Sequence, residues 1–115
     1  MADAADLGVL DAAAALSRGE LSSRELTESC LARIAARDGV HSHDGDPDSV
    51  NAWVRVYGED ALAAAGRADA RRAAGEAPLL CGIPIGLKDL YAVAGKPVTA
   101  SSGFFHEVPD RDCDV

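Results

Sequence analysis

The sequence predicts an α/β chain, and three observations carry that expectation. Apolar residues recur at helical spacing over about 6–18, 23–38 and 59–74. Two segments, about 51–57 and 83–88, have the composition of strands. The third helix lies between these two strands, and a helix that links strands points to a mixed sheet with at least partly parallel pairing. All 115 residues fit within one domain, with 48% hydrophobic residues available for a modest core.

The first helix rests on Val9, Ala12, Ala13 and Leu16, spaced i, i+3, i+4 and i+7, with Gly19 as its stop. The second opens with Ser22 and Glu25 in capping-box spacing, carries Leu26, Cys30, Leu31 and Ile34 on one side, and ends at Gly39. Cys30 reads as a small hydrophobe on that stripe. Residues 40–49, "VHSHDGDPDS", break the period with Gly, Pro and polar crowding and read as a loop. Asp44, Asp46 and Asp48 alternate like the start of a calcium loop, but position six is Ser49 and position twelve is Arg55, where Gly and Glu are required. His41 and His43 add nothing to that pattern, so no metal is expected.

"NAWVRVYG" alternates Ala52, Val54 and Val56 against Trp53, Arg55 and Tyr57, which predicts a half-buried strand. The third helix places Leu62, Ala65, Gly66 and Ala73 on one face, with acids in its first turn and arginines towards its last, as the helix dipole favours. Ile83 to Leu87 is apolar without alternation, the pattern of a strand covered on both sides.

Charge and targeting narrow the function. Nineteen acidic residues against 11 basic ones give a formal charge of −8, which repels phosphate backbones and anionic membranes, so no direct nucleic-acid binding and no membrane contact are expected. "MADAADLGVL" has neither the basic start nor the apolar stretch of a signal peptide, and a cytoplasmic chain is expected. Cys30, Cys81 and Cys113 are odd in number and lack CxxC spacing, which argues against a disulfide framework or a zinc knuckle.

Lys88, at the end of the second strand, is the residue whose type does not fit its place. It can send its ammonium to solvent or pair with an acid. Alternatively, desolvation at a sheet edge lowers its affinity for a proton, and the neutral amine then serves as base to a hydroxyl nucleophile. Adjacent Asp89 stabilises the ammonium, so a role in holding the following turn suits it better.

The stretch "LLCGIPIGLKDLYAVAGKPVTASS" resembles the amidase signature family, whose members carry a G-I-P-I/V-x-x-K-D segment followed by a Gly, a Thr and a Ser at similar spacing. Upstream, "LSRGELSSRELTESCLARIAARD" and "VNAWVRVYGEDALAAAGRADA" resemble that family's N-terminal helices, first strand and next helix in order. The resemblance implies that residues 1–115 are the N-terminal portion of a single amidase domain, truncated before its sheet is complete. It further implies hydrolysis of a carboxylic amide to acid and ammonia or amine through an acyl-enzyme. A serine would be the nucleophile, a second serine the relay, and Lys88 the base. No cofactor is implied.

The nucleophile and relay serines of the family lie in a Gly-Gly-Ser-Ser-Gly type segment downstream of the lysine, and residues 1–115 hold none, so the chain alone is expected to be inactive. Ser101 and Ser102 run into Phe104 and Phe105 without flanking glycines on both sides, and read as structural. His106, Asp110, Asp112 and Cys113 read as an exposed polar tail. A small-molecule amide is the expected substrate, and a homodimer or amidotransferase subunits are the expected partners. Two other functions remain open: the glutaminase (A) subunit of a tRNA-dependent amidotransferase, and a non-catalytic interaction module.

Overall fold

The structure is a computed structural model and describes residues 2–114. The chain divides after Pro84 into two compact units.

The first unit is helical. A single 3₁₀ turn, Ala4–Asp6, precedes α1 (Val9–Arg18), α2 (Ser23–Arg37) and α3 (Gly58–Ala73). Gly19 ends α1 in the left-handed conformation (φ 69°), from which its N–H reaches the carbonyls of Ala15 and Leu16. The buried face of α1 is Ala12, Ala13, Ala15 and Leu16. Val9, expected on that face, is instead exposed, because the first turn of α1 lies outside the core cluster that Ala12 and Leu16 form with Leu26.

α2 begins with the capping box that its sequence encodes: the Ser22 hydroxyl accepts from the Glu25 N–H, and the Glu25 carboxylate accepts from the Ser22 N–H. Leu26 joins Ala12 and Leu16 in the core, with Ala4, Leu21, Cys30 and Ile83 packed around them. Arg33 ties the 3₁₀ turn to this helix through ion pairs of 2.8 Å to both Asp3 and Asp6.

α3 packs against α2. Its covered face is Leu62, Ala65 and Ala68, continued by Asp69 and Arg72, whereas Gly66 and Ala73 are exposed. The face is rotated from the expected one because Asp69 and Arg72 make polar contacts below the alanines, described next. Two alanines at the contact allow the close backbone approach that larger side chains would prevent.

The strands expected at 51–57 and 83–88 do not form, and the mixed sheet is absent among the described residues. Both segments lack a neighbouring strand, and an extended chain becomes a strand only when its N–H and C=O groups pair with another. The 51–57 segment is instead held at its start by buried Asp38, whose carboxylate accepts from the N–H groups of Ala52 (2.6 Å) and Trp53 (3.1 Å). Val54, Val56, Ile85 and Leu87 consequently remain exposed. The described β-pairing is the isolated antiparallel bridge between Val98 and Glu107.

The 40–49 loop spends its polar groups on turns. Asp46 accepts from the Asp48 N–H at 3.0 Å, and Asn51 donates to the Ser42 carbonyl at 2.9 Å. No cluster of His, Cys, Asp and Glu suited to a metal occurs among the described residues, and no described helix is long and apolar enough to cross a membrane.

Candidate active site

The GIPIGLKD segment enters from a built support in the first unit. Gly82 adopts φ 91°, open to glycine and strained for other residues, and its carbonyl accepts from the Ser23 hydroxyl at 2.7 Å. Ser23 is 1% exposed. Its own N–H and that of Arg24 donate to the two carboxylate oxygens of Asp69, at 2.7 and 3.1 Å, so α3 caps α2 where Gly82 docks. Arg72 reaches from the next turn of α3 to the Cys81 carbonyl through Nε (2.9 Å) and Nη2 (2.6 Å), and to the Leu79 carbonyl at 3.1 Å. Ser23, Asp69 and Arg72 thus fix the backbone from Leu79 to Gly82.

Ile83 to Lys88 continue without regular structure, and a tight turn follows in which the Lys88 carbonyl accepts from the N–H groups of Leu90 (2.7 Å) and Tyr91 (3.1 Å). Lys88 is exposed. The described residues do not cover its amine in the way the sequence reading requires, since the apolar run beside it has no sheet to enter. Ile85 is 75% and Leu87 51% exposed.

Asp89 anchors the turn after Lys88. Its Oδ1 accepts from the Thr99 N–H at 3.0 Å, its Oδ2 accepts from the Thr99 hydroxyl, and its carbonyl accepts from the Ala100 N–H at 3.0 Å. Ala100 (φ 51°) and Ser101 (φ 59°) follow in the left-handed region, where side-chain-bearing residues are disfavoured. The Ser102 N–H closes this bend onto the Thr99 carbonyl at 2.9 Å, and the Ser102 hydroxyl accepts from the Phe104 N–H at 3.1 Å. Both groups of Ser102 therefore serve the turn.

Residues 92–98 run beside the tail. Val98 and Glu107 exchange backbone bonds of 2.8 and 3.0 Å, Gly95 donates to the Pro109 carbonyl at 2.9 Å, and Cys113 donates to the Ala92 carbonyl at 2.9 Å. Asp112 accepts from the Ala94 N–H at 2.8 Å, and His106 and Asp110 are exposed. Cys30, in the first unit, has its thiol pushed up by burial and then by the Asp3 charge, which makes it a poor nucleophile.

Lys88 and the turn role of Asp89 are legible in the sequence, whereas the contacts of Ser23, Asp69, Arg72 and Thr99 emerge only in the structure. The signal available for Thr99 was its place in the family-like string; Asp69 and Arg72 looked like ordinary polar residues of a helix.

The comparisons with known proteins accord with the string. A family model described as Amidase matches residues 25–115. Over 102 residues the chain is 42% identical to the glutamyl-tRNA(Gln) amidotransferase A subunit of Ruegeria sp. (strain TM1040), covering 89% of this chain and 19% of that protein. The protein of the same name from Roseiflexus sp. (strain RS-1) is 44% identical over 96 residues, or 84% of this chain and 18% of the relative. That of Myxococcus xanthus (strain DK1622) is 42% identical over 112 residues, or 96% of this chain and 21% of the relative. The chain thus spans about a fifth of the length of these curated relatives. Since the match takes in α2 from Glu25 onward, α3, Gly82 and the whole Lys88 turn, the chain belongs to the amidase family, the amidase signature family of its sequence resemblance.

Proposed function

We propose that this chain is the base-bearing N-terminal part of an enzyme that hydrolyses a carboxylic amide, with Lys88 as the base. The observation that carries the reading is the GIPIGLKD string at 82–89 within a family match that extends over 25–115. In the complete domain, segments 51–57 and 83–88 take their places in a mixed sheet, and that sheet covers Ile85, Leu87 and the Lys88 amine. A covered amine loses affinity for its proton and can work near neutral pH.

The reaction then follows. A serine outside residues 1–115 attacks the amide carbon, and its proton passes through a second serine to Nζ of Lys88. Backbone N–H groups hold the oxyanion. The C–N bond breaks as the proton moves on to the departing nitrogen, and ammonia or an amine leaves. Water adds to the acyl-serine, the C–O bond to serine breaks, and the acid is released. No metal or organic cofactor enters these steps. Residues 1–115 alone are inactive on this reading, because they supply the base without the nucleophile.

A second reading has its own support: the three relatives described above are all named as the A subunit of glutamyl-tRNA(Gln) amidotransferase. On it, the amide is that of glutamine, the product is ammonia, and the enzyme works beside partner subunits in the cytoplasm. A free-standing amidase would work as a monomer or homodimer.

The test uses the polypeptide in which this chain continues into a serine-bearing segment. Ammonia release from glutamine, asparagine and simple aliphatic and aryl amides is measured, with hydroxylamine added to trap the acyl-enzyme as a hydroxamate. Release with hydroxamate formation supports the reading, and a strict preference for glutamine with copurifying subunits selects the second. No release from any of these amides contradicts both.

A further inference from the structure

Asp89 follows the proposed base directly, and its bonds to Thr99 lie on the far side of the turn. Both carboxylate oxygens accept from Thr99, one from the N–H and one from the hydroxyl, and the Asp89 carbonyl takes the Ala100 N–H. Immediately beyond, Ala100 and Ser101 are both held in the left-handed region. Two such residues in succession persist only where neighbouring bonds over-determine the backbone. Thr99 is suited to this, since β-branching limits its χ1 and pre-aims the hydroxyl.

We infer that Asp89 and Thr99 are positioning residues for Lys88: they latch the turn from which the lysine projects, and Asp89 acts on that turn through Thr99. The inference rests on the reading of Lys88 as base. A carboxylate acting on the ammonium by charge would keep the proton on it, which opposes the work of a base. Bonded to Thr99, the same carboxylate fixes the backbone on either side of the turn: the Lys88 carbonyl already bonds Leu90 and Tyr91, and the latch bonds Ala100.

The first experiment needs no activity. Amide hydrogen exchange is measured in the 115-residue chain and in Thr99→Val, Thr99→Ser, Asp89→Asn and Asp89→Ala. Thr99→Val removes the hydroxyl at nearly constant shape, and is expected to speed exchange about tenfold or more at Leu90 and Tyr91 as well as at Ala100. Thr99→Ser should return these rates to within about threefold of the original. Asp89→Asn keeps an acceptor for the Thr99 N–H and should lie closer to the original than Asp89→Ala. Acceleration confined to Ala100, or equal losses in Asn and Ala, would overturn the latch.

In the complete enzyme, Thr99→Val should lower kcat about tenfold to a hundredfold with KM within about twofold, and Thr99→Ser should recover most of kcat. A change in KM alone, or serine no better than valine, would overturn the positioning role. If Lys88→Ala kept its activity while exchange at Leu90 and Tyr91 still followed Thr99, the base reading would fail and the latch would stand.

Discussion

The Ser23 hydroxyl donates to the Gly82 carbonyl at 2.7 Å, and a Cβ added at Gly82 would lie 2.9 Å from Cβ of Ser23. The two backbones approach as closely as they do because position 82 has no side chain, and φ 91° is tolerated there for the same reason. Gly82→Ala should therefore destabilise the first unit by about 2 kcal/mol or more, from backbone strain and a contact that neither partner can relieve by rotation. Ser23→Ala should cost about 1 kcal/mol, since it leaves the carbonyl without its donor. Urea denaturation checks both, and an unchanged midpoint for Gly82→Ala would contradict the packing described.

Asp69 joins α3 to the start of α2. Its two oxygens take N–H groups that have no partner inside the helix, at a point where a negative charge also favours the dipole. Asp69→Ala should cost about 1–2 kcal/mol and Asp69→Asn less, because the amide keeps one acceptor. Exchange at the Ser23 and Arg24 amides should rise with the loss of stability.

Asp38 is 5% exposed and holds the N–H groups of Ala52 and Trp53. Replacing it with Ala strands two donors and should cost about 2–3 kcal/mol. Trp53 is the chain's single tryptophan, so its fluorescence reports the change directly. A red shift of its emission at neutral pH is expected as the 51–57 segment loosens.

Asp3 supplies the pH dependence. The Ser29 hydroxyl, then Arg33, then the Ala5 N–H hold its carboxyl at about 2, below its ordinary 3.8. The folded-state value is lowered, so what these bonds contribute is complete above 3.8 and is lost as pH falls towards 2. Carboxyl ¹³C shifts should give Asp3 a midpoint near 2, and Ser29→Ala should raise it. A midpoint at 3.8 in the unaltered chain would contradict the contact.

What was legible in the sequence follows the range of each interaction. The Ser22–Glu25 box and the Gly19 stop are local, and their residue types announce them. Val54 and Val56 carry real β character, but pairing depends on a distant partner, and composition says nothing about whether one is at hand. Asp69 acts 46 residues from Ser23, and Ser23 acts 59 residues from Gly82, so neither role has a local signature. At the candidate site, Lys88 was legible as an ammonium at the end of an apolar run. Its environment was not: Lys88 is exposed, because the apolar run beside it finds no strand to pair with, and whether one is at hand is not written locally.

Whether Lys88 is the base is decided by comparing Lys88→Ala with the unaltered sequence in the complete, serine-bearing polypeptide, under conditions where both remain folded, by single-turnover release of ammonia from the preferred amide. If Lys88 is the base, the acylation rate should fall by about a hundredfold to ten-thousandfold with binding little changed. A Lys88→Ala rate within about twofold of the original would mean that the proton goes elsewhere, and the assignment of Lys88 would be wrong.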